Sequence, residues 1–338
     1  MKLLTLFFLF LTGCILTHSA QSLTYAELGL NLWFHKMIPS LFPFMILSGI
    51  MVRLNLTEKM SMAVYPAVGP LYRVRKNVCY CMLLGFLCGF PMGARVTADL
   101  RERNLLTARE AQYLLAFCNN IGPVYFCSFV LPLLGRRLVF PYLFGMYGIP
   151  LLYGLALRYT VYRDIGVTFQ KTGILSHFNK AYTGSQNRTE LHSCELYSHE
   201  LHSLELPSRK QSLWFRILNA TEQSVQASLQ SILILGGYMI LFNLMNLIPH
   251  VLFGRPMELF GPILEITGGL GMLQKSLPLY SLLALSFGGL SCIAQTYSCI
   301  KNTDLSLADY IFHKIILTLL NAGFYLCWFF LMPATFLH

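Results

Sequence analysis

Apolar residues along this chain gather into long blocks, separated by short charged loops and by one long polar stretch. A membrane-spanning helix needs about 20 apolar residues, and every backbone polar group in lipid has to be satisfied within protein. Residues 3–17, 37–52, 78–94, 111–134, 138–157, 225–248, 277–300 and 308–335 are candidate membrane helices. The first block follows Lys2 and has the outline of a signal peptide, with a lipoprotein-type cleavage box at Leu11-Thr12-Gly13-Cys14. A single basic residue in front and many later spans favour an uncleaved N-terminal transmembrane helix over 1–20. Residues 24–36 are mixed, and Trp33 and Phe34 beside His35 and Lys36 predict a helix lying in the interface. The block 37–52 is interrupted by Pro39 and Pro43.

Residues 158–216 are polar. They include a degenerate five-residue repeat that starts at Glu190, Glu195, Glu200 and Glu205. A period of five carries successive side chains around a helix and flips them between strand faces, so no apolar stripe forms. The stretch reads as a solvated insert. His192, Cys194, His199 and His202 within it follow from the repeat rather than from metal-ligand spacing.

Composition agrees with the blocks. The 338 residues are 55% hydrophobic and only 12% charged, about half the charged content of an average soluble domain. That excludes a disordered chain, a coiled coil and an ordinary cytosolic enzyme. Nine of the 10 cysteines lie in or beside apolar segments, where Cys behaves as a small hydrophobe rather than as part of a disulfide framework. The net charge of +10 points to topology rather than to nucleic acid, because excess Lys and Arg collect in cytoplasmic loops.

That charge sits in two places. Loop 53–76 holds Arg53, Lys59, Arg73, Arg75 and Lys76 against Glu58, and the insert 158–216 holds eight basic residues. Both belong on the cytoplasmic face, yet three apolar segments lie between them. Three full crossings would separate the two loops. One segment therefore enters and leaves on the same face, and 78–107, with its Gly/Pro-rich interruption, is predicted to be a re-entrant helical hairpin.

Three interruptions carry the candidate chemistry. Gly89-Phe-Pro91-Met-Gly93-Ala-Arg95-Val-Thr97-Ala-Asp99 cannot continue a regular helix, and it places charge and hydroxyl near exposed backbone groups. Asn119, Asn120, Gly122 and Pro123 break an otherwise apolar stretch and put two amides beside the vacated backbone positions. Gly288, Gly289, Ser291 and Gln295 form a third break, whose register sets Phe86–Thr97 against Leu285–Thr296. Ser40–Gly49 pairs loosely with Ser228–Gly237. Interrupted helices in corresponding places of two halves are the pattern of a transporter-type fold. Glu265, in a glycine-rich segment over 257–275, fits a buried or an interfacial position equally, and His313 and Asn321 read as packing residues. Enzyme signatures such as HExxH, GxSxG and the Walker loop are absent.

Trp33–Phe44 (WFHKMIPSLFPF), Gly89–Asp99 (GFPMGARVTAD), Glu110–Pro123 (EAQYLLAFCNNIGP) and Leu285–Asp304 (LSFGGLSCIAQTYSCIKNTD) together resemble the YlbJ family of sporulation integral membrane proteins. The resemblance implies a place in the nucleoside-recognition Gate-domain superfamily. It also implies a multi-pass protein of the cytoplasmic membrane of a spore-forming bacterium, needed in spore formation around the cortex. Two re-entrant hairpins are implied with tips at 89–95 and 288–295. The chain departs from the family pattern at Asn120-Ile-Gly122, where small residues are typical, and in its pentapeptide insert.

The expectation is therefore an all-α, polytopic membrane helical bundle with two related halves, broken helices and re-entrant hairpins. Its parts are an N-terminal helix over 1–20, a first membrane half over 21–157, a cytoplasmic insert over 158–212 and a second half over 213–338. The expected function is permease-like, with a pocket for a small molecule or ion formed by Gly89, Pro91, Gly93, Arg95, Thr97, Asp99, Asn119, Asn120, Gly288, Ser291 and Gln295. No catalytic residue, metal or cofactor is expected. The expected partners are the lipid bilayer, a small solute or ion, and a second copy of the chain or spore-envelope proteins, but not nucleic acid. The alternative is a non-transporting membrane scaffold for spore-envelope assembly.

Overall fold

A computed structural model describes residues 2–165, 213–274 and 276–336. Among them the chain is helical throughout, without strands, and five helical runs are long and apolar enough to cross a membrane: Ser19–Arg53, Arg136–Tyr159, Leu213–Phe253, Pro278–Ile300 and Leu307–Leu331. Leu152, Leu229, Leu233, Phe312, Leu319 and Phe330 stay exposed along these runs, as lipid-facing residues do. The protein is an all-α, multi-pass membrane protein. The repeat 190–206 and the candidate ligands His192, Cys194, His199 and His202 lie outside the described residues.

The first run corrects one expectation. Residues 24–36 do not form a separate interfacial helix. Ser19–Leu32 continues through a single π-helical turn, Trp33–Met37, into Ile38–Arg53, making a helix of 35 residues. The long helix Leu213–Leu244 packs antiparallel along it. The Trp33 indole donates to the Ile232 carbonyl at 2.8 Å, and Gly29 lies against Ile240 while Gly49 lies against Ser224. Burying the indole there removes the anchor that an interfacial position would have provided.

Between these two helices and the basic loops sits the predicted hairpin. Lys76–Cys88 and Met92–Glu102 turn back on each other across Gly89-Phe90-Pro91, where the Phe90–Pro91 peptide is cis. At 13 residues the first arm is about 20 Å long, short of the ~30 Å hydrocarbon core. Residues equidistant from Gly89 meet. Cys81 faces Thr97, and a methyl on either Gly85 or Gly93 would overlap the Cys118 carbonyl. The open ends are clasped on one level, with Arg75 Nε donating to Glu110 Oε1 at 2.8 Å and Asn77 reaching the Leu105 carbonyl. The hairpin therefore enters and leaves on one face.

That face is the basic one, and it collects the first charged loop together with the described ends of the second, at residues 158–165 and 213–216. Arg158 donates to the Arg73 carbonyl at 3.0 Å, and the Arg73 guanidinium lies over the Tyr159 ring. Arg53, Arg103 and Arg216 line a hollow nearby. Arg101 joins Asp304 at 2.8 Å, which brings the turn between the last two spans to the same side. The far face is marked by Tyr25 against His250 at 3.3 Å and by the Cys14, Tyr25 and Leu247 cluster.

Two further breaks complete the arrangement. Ala108–Leu115 stops, seven residues cross in non-helical geometry, and the chain resumes at Pro123. The second half also contains a reversal, but at Glu265. Gly261–Leu264 and Ile266–Leu273 fold back so that Gly269 lies against Gly261, which is equally far from Glu265 on the other arm, and against Pro262 next to it. Its Met272 belongs to the far-face cluster, so this short hairpin enters from the side opposite the first.

Candidate functional site

The expected hairpin tip at 288–295 needs correcting. Pro278–Phe287 and Gly289–Ile300 follow one another as a single interrupted span of 23 residues. The chain starts this span after the far-face hairpin and must reach Asp304 on the basic face, so a reversal at 288 would leave it on the wrong side. Gly288 instead takes a left-handed conformation, φ +83°, which steps the helix sideways without turning it.

All four breaks meet at one junction. Gly89 adopts φ +79° and packs directly on Gly122; a methyl on it would overlap the Gly122 nitrogen. Phe90 N donates to the Asn120 carbonyl at 2.7 Å, tying the first break to the second. The Phe90 ring faces Gly288, and Gly289 lies against the Glu265 turn. A cavity opens at this junction. It is lined by Ser40, Leu41, Phe90, Tyr125, Glu265, Thr267, Cys292 and Gln295, with Leu235 and Met239 from the long helix. Its free volume of about 30 Å³ has room for about two waters.

The expected site residues divide into three groups. Gln295 lines the cavity and donates to the Ser291 hydroxyl at 2.8 Å, while Gly89, Pro91 and Gly288 shape the breaks around it. Asn119 and Asn120 hold the junction together. Asn119 Oδ1 accepts from Ala94 N at 3.3 Å, and its Nδ2 donates to Thr296 at 2.9 Å and to Tyr310 at 3.3 Å. Asn120 Nδ2 donates to the Phe117 carbonyl at 2.6 Å. Arg95, Thr97, Asp99 and Gly93 are not brought to the cavity. Arg95 bonds the Ser231 hydroxyl of the long helix and approaches Asp99 at 3.9 Å, Thr97 bonds the Gly93 carbonyl at 2.7 Å, and Gly93 is packing. Residues 95, 97 and 99 follow the tip on the returning arm, whose rotation turns them toward neighbouring helices.

Two ionisable residues matter more than the sequence indicated. Glu265 is 2% exposed and faces the cavity. Its Oε1 accepts from Thr267 N at 3.1 Å, and its Oε2 from Gly268 N at 2.6 Å and Asn243 Nδ2 at 3.1 Å. A carboxylate in a membrane interior requires such donors. Tyr125 reaches Thr267 at 3.1 Å beside it. Lys314, 3% exposed in the last span, donates to the Asn119 carbonyl at 3.4 Å and to Asn120 Oδ1 at 3.2 Å. A lone lysine amid the apolar run 307–331 was the signal available for it. His313, as expected, packs, bonding Tyr153 at 2.6 Å. Among the described residues no three His, Cys, Asp or Glu side chains group as metal ligands.

Comparison with known proteins gives one informative match, to an integral membrane protein. The chain is similar to the sporulation integral membrane protein YlbJ of Bacillus subtilis (strain 168). Identity is 26% over 353 residues, covering 93% of this chain and 79% of that protein. No family model matches the chain, and no solved structure matches it.

Proposed function

We propose that this protein acts in bacterial sporulation as a permease-like membrane protein of the Gate type, passing a small solute or ion through the junction of its four breaks. The observation that carries the reading is the cavity where two hairpins that start from opposite faces and two interrupted spans meet. Backbone breaks that line a protein cavity are the usual place for substrate in secondary transporters. The element order, a long span, a hairpin, an interrupted span and a final span, recurs from 19–159 to 213–331. We infer two related halves of opposite orientation from it. The sporulation role rests on the similarity to YlbJ, and the cytoplasmic membrane is the proposed location, with no enzymatic step.

The lining also suggests the solute's chemistry. Among the described residues its only charged side chain is the Glu265 carboxylate, set among Tyr125, Phe90 and aliphatic residues. Such a surface favours a neutral or cationic solute with N–H or O–H donors and a flat or apolar body, and it disfavours anions. Two experiments test the reading. Deleting the gene in its own organism should reduce the yield of heat-resistant spores. Protein in vesicles should bind or pass neutral or cationic solutes, with at least a ~10-fold loss in Glu265→Gln or Gln295→Ala. Full activity in both variants would remove the site assignment.

A further inference from the structure

Lys314 does not line the cavity, and the permease reading makes no use of it. Its surroundings are nonetheless specific. The ammonium lies at the second break, where helix 108–115 has ended and the next begins at Pro123. Two oxygens are turned toward it, the Asn119 carbonyl and Asn120 Oδ1. Both are held in that orientation by other bonds. The Asn119 amide is committed to Ala94, Thr296 and Tyr310, which fixes the backbone carbonyl beside it, and Asn120 Nδ2 is anchored on the Phe117 carbonyl, which leaves Oδ1 for Lys314. Both asparagines and the lysine are at most 5% exposed. Among the described residues no carboxylate stands within 4 Å of the ammonium.

A buried charge without a counter-ion is costly unless dipoles replace water around it. Here the dipoles are a backbone carbonyl freed by a helix break and a fixed amide oxygen. Those are the groups with which interrupted helices coordinate alkali cations. The lysine ammonium is itself a compact point charge. We propose that the oxygens at the second break form a monovalent-cation site, and that Lys314 fills it with the chain's own cation. The break is thereby held closed in any salt, and no free alkali ion is required at it.

Removing the ammonium tests this directly. The full chain with Lys314→Ala, purified in detergent in a choline buffer, should melt several degrees below wild type. Adding ~300 mM of a cation small enough to enter, potassium, sodium, ammonium or methylammonium, should recover at least half of the loss by mass action. Wild type should shift by less than ~1 °C between the same buffers, because its site is already filled. Lys314→Met, which occupies the space without charge, should lose stability and not be rescued. The proposal is overturned if Lys314→Ala behaves alike in choline and in every small cation, or if Lys314→Met is rescued as well. The wild-type comparison stands even where Lys314→Ala yields no folded protein. A clear gain in wild type with an alkali ion over choline also overturns the proposal. Because the readout is stability and not flux, its failure leaves the pocket reading intact.

Discussion

Glu265 and Lys314 are an intramembrane carboxylate and an intramembrane ammonium, each held by backbone and amide groups rather than by each other. The Glu265 interaction has a direct consequence. Three donors converge on its two oxygens, so Glu265→Gln sets an NH₂ against a backbone N–H and should cost about 1–3 kcal/mol, read as a lower melting temperature in detergent. Close packing makes a second prediction. Gly93→Ala would drive a methyl into the Cys118 carbonyl and should cost about 1–3 kcal/mol or more, whereas Gly323→Ala, with nothing within 4 Å, should leave the melting temperature within ~1 °C. Equal effects of the two substitutions would show that the hairpin does not pack on the second break. Lys314 was passed over in the sequence, although a lysine inside the apolar run 307–331 is a signal for it. Glu265 was not separable from an interfacial residue, because the glycine-rich segment around it has too few side chains to show which way it faces.

At the scale of elements, the first hairpin depends on its clasp. Arg75 pairs with Glu110, whose side chain is only 1% exposed and also closes a capping box with Thr107. Arg75→Ala should therefore cost about 1–3 kcal/mol and admit protease near residues 103–106, while Glu110→Gln, which keeps one acceptor, should cost less. The outer clasp between Arg101 and Asp304 is solvent-exposed and titrates. The hydrogen bond from Arg101 holds the Asp304 carboxyl below its ordinary value of 3.8. A carboxyl lowered in the folded state contributes above its unfolded value and loses that contribution as the pH falls through the folded one. The coupling between Arg101→Gln and Asp304→Asn in a double-mutant cycle should thus be constant from neutral pH down to about 5 and be lost progressively as the pH falls below 3.8. A coupling that fades between pH 7 and 6 would contradict this assignment. The break at Gly89 was readable because Gly, Pro and Gly within five residues cannot stay helical. The one at Gly288 was readable as a break but not as a sideways step, since glycine allows both.

For the whole molecule, the basic loops set the orientation. Arg73 and Arg158 meet on one face, and the hairpin, the 301–306 turn and the start of helix 213–244 reach the same side. An impermeant maleimide should label cysteines placed at Asn104 and Lys301 only from the cytoplasm, and one placed at Glu258 only from outside. Alkaline phosphatase fused after Phe336 should be active, because Leu307–Leu331 leaves the basic face and crosses once. Labelling of position 104 from outside would turn the first hairpin into a crossing and break the common face.

What the sequence determined by itself is the class of molecule and the place of its interruptions. Apolar blocks of spanning length, two basic loops and three runs of Gly, Pro and Asn required a helical membrane bundle, one re-entrant segment and broken helices, because lipid leaves no other partner for backbone polar groups. What only the tertiary structure decided is which interruptions reverse the chain and which side chains reach the junction. Reversal depends on the face to which the next segment must return, and that placed the second hairpin at Glu265 instead of Gly288. Access depends on helix rotation against neighbours, which turned Arg95, Thr97 and Asp99 away from the cavity and brought Glu265 to it. Both are long-range packing outcomes, and no local spacing encodes them.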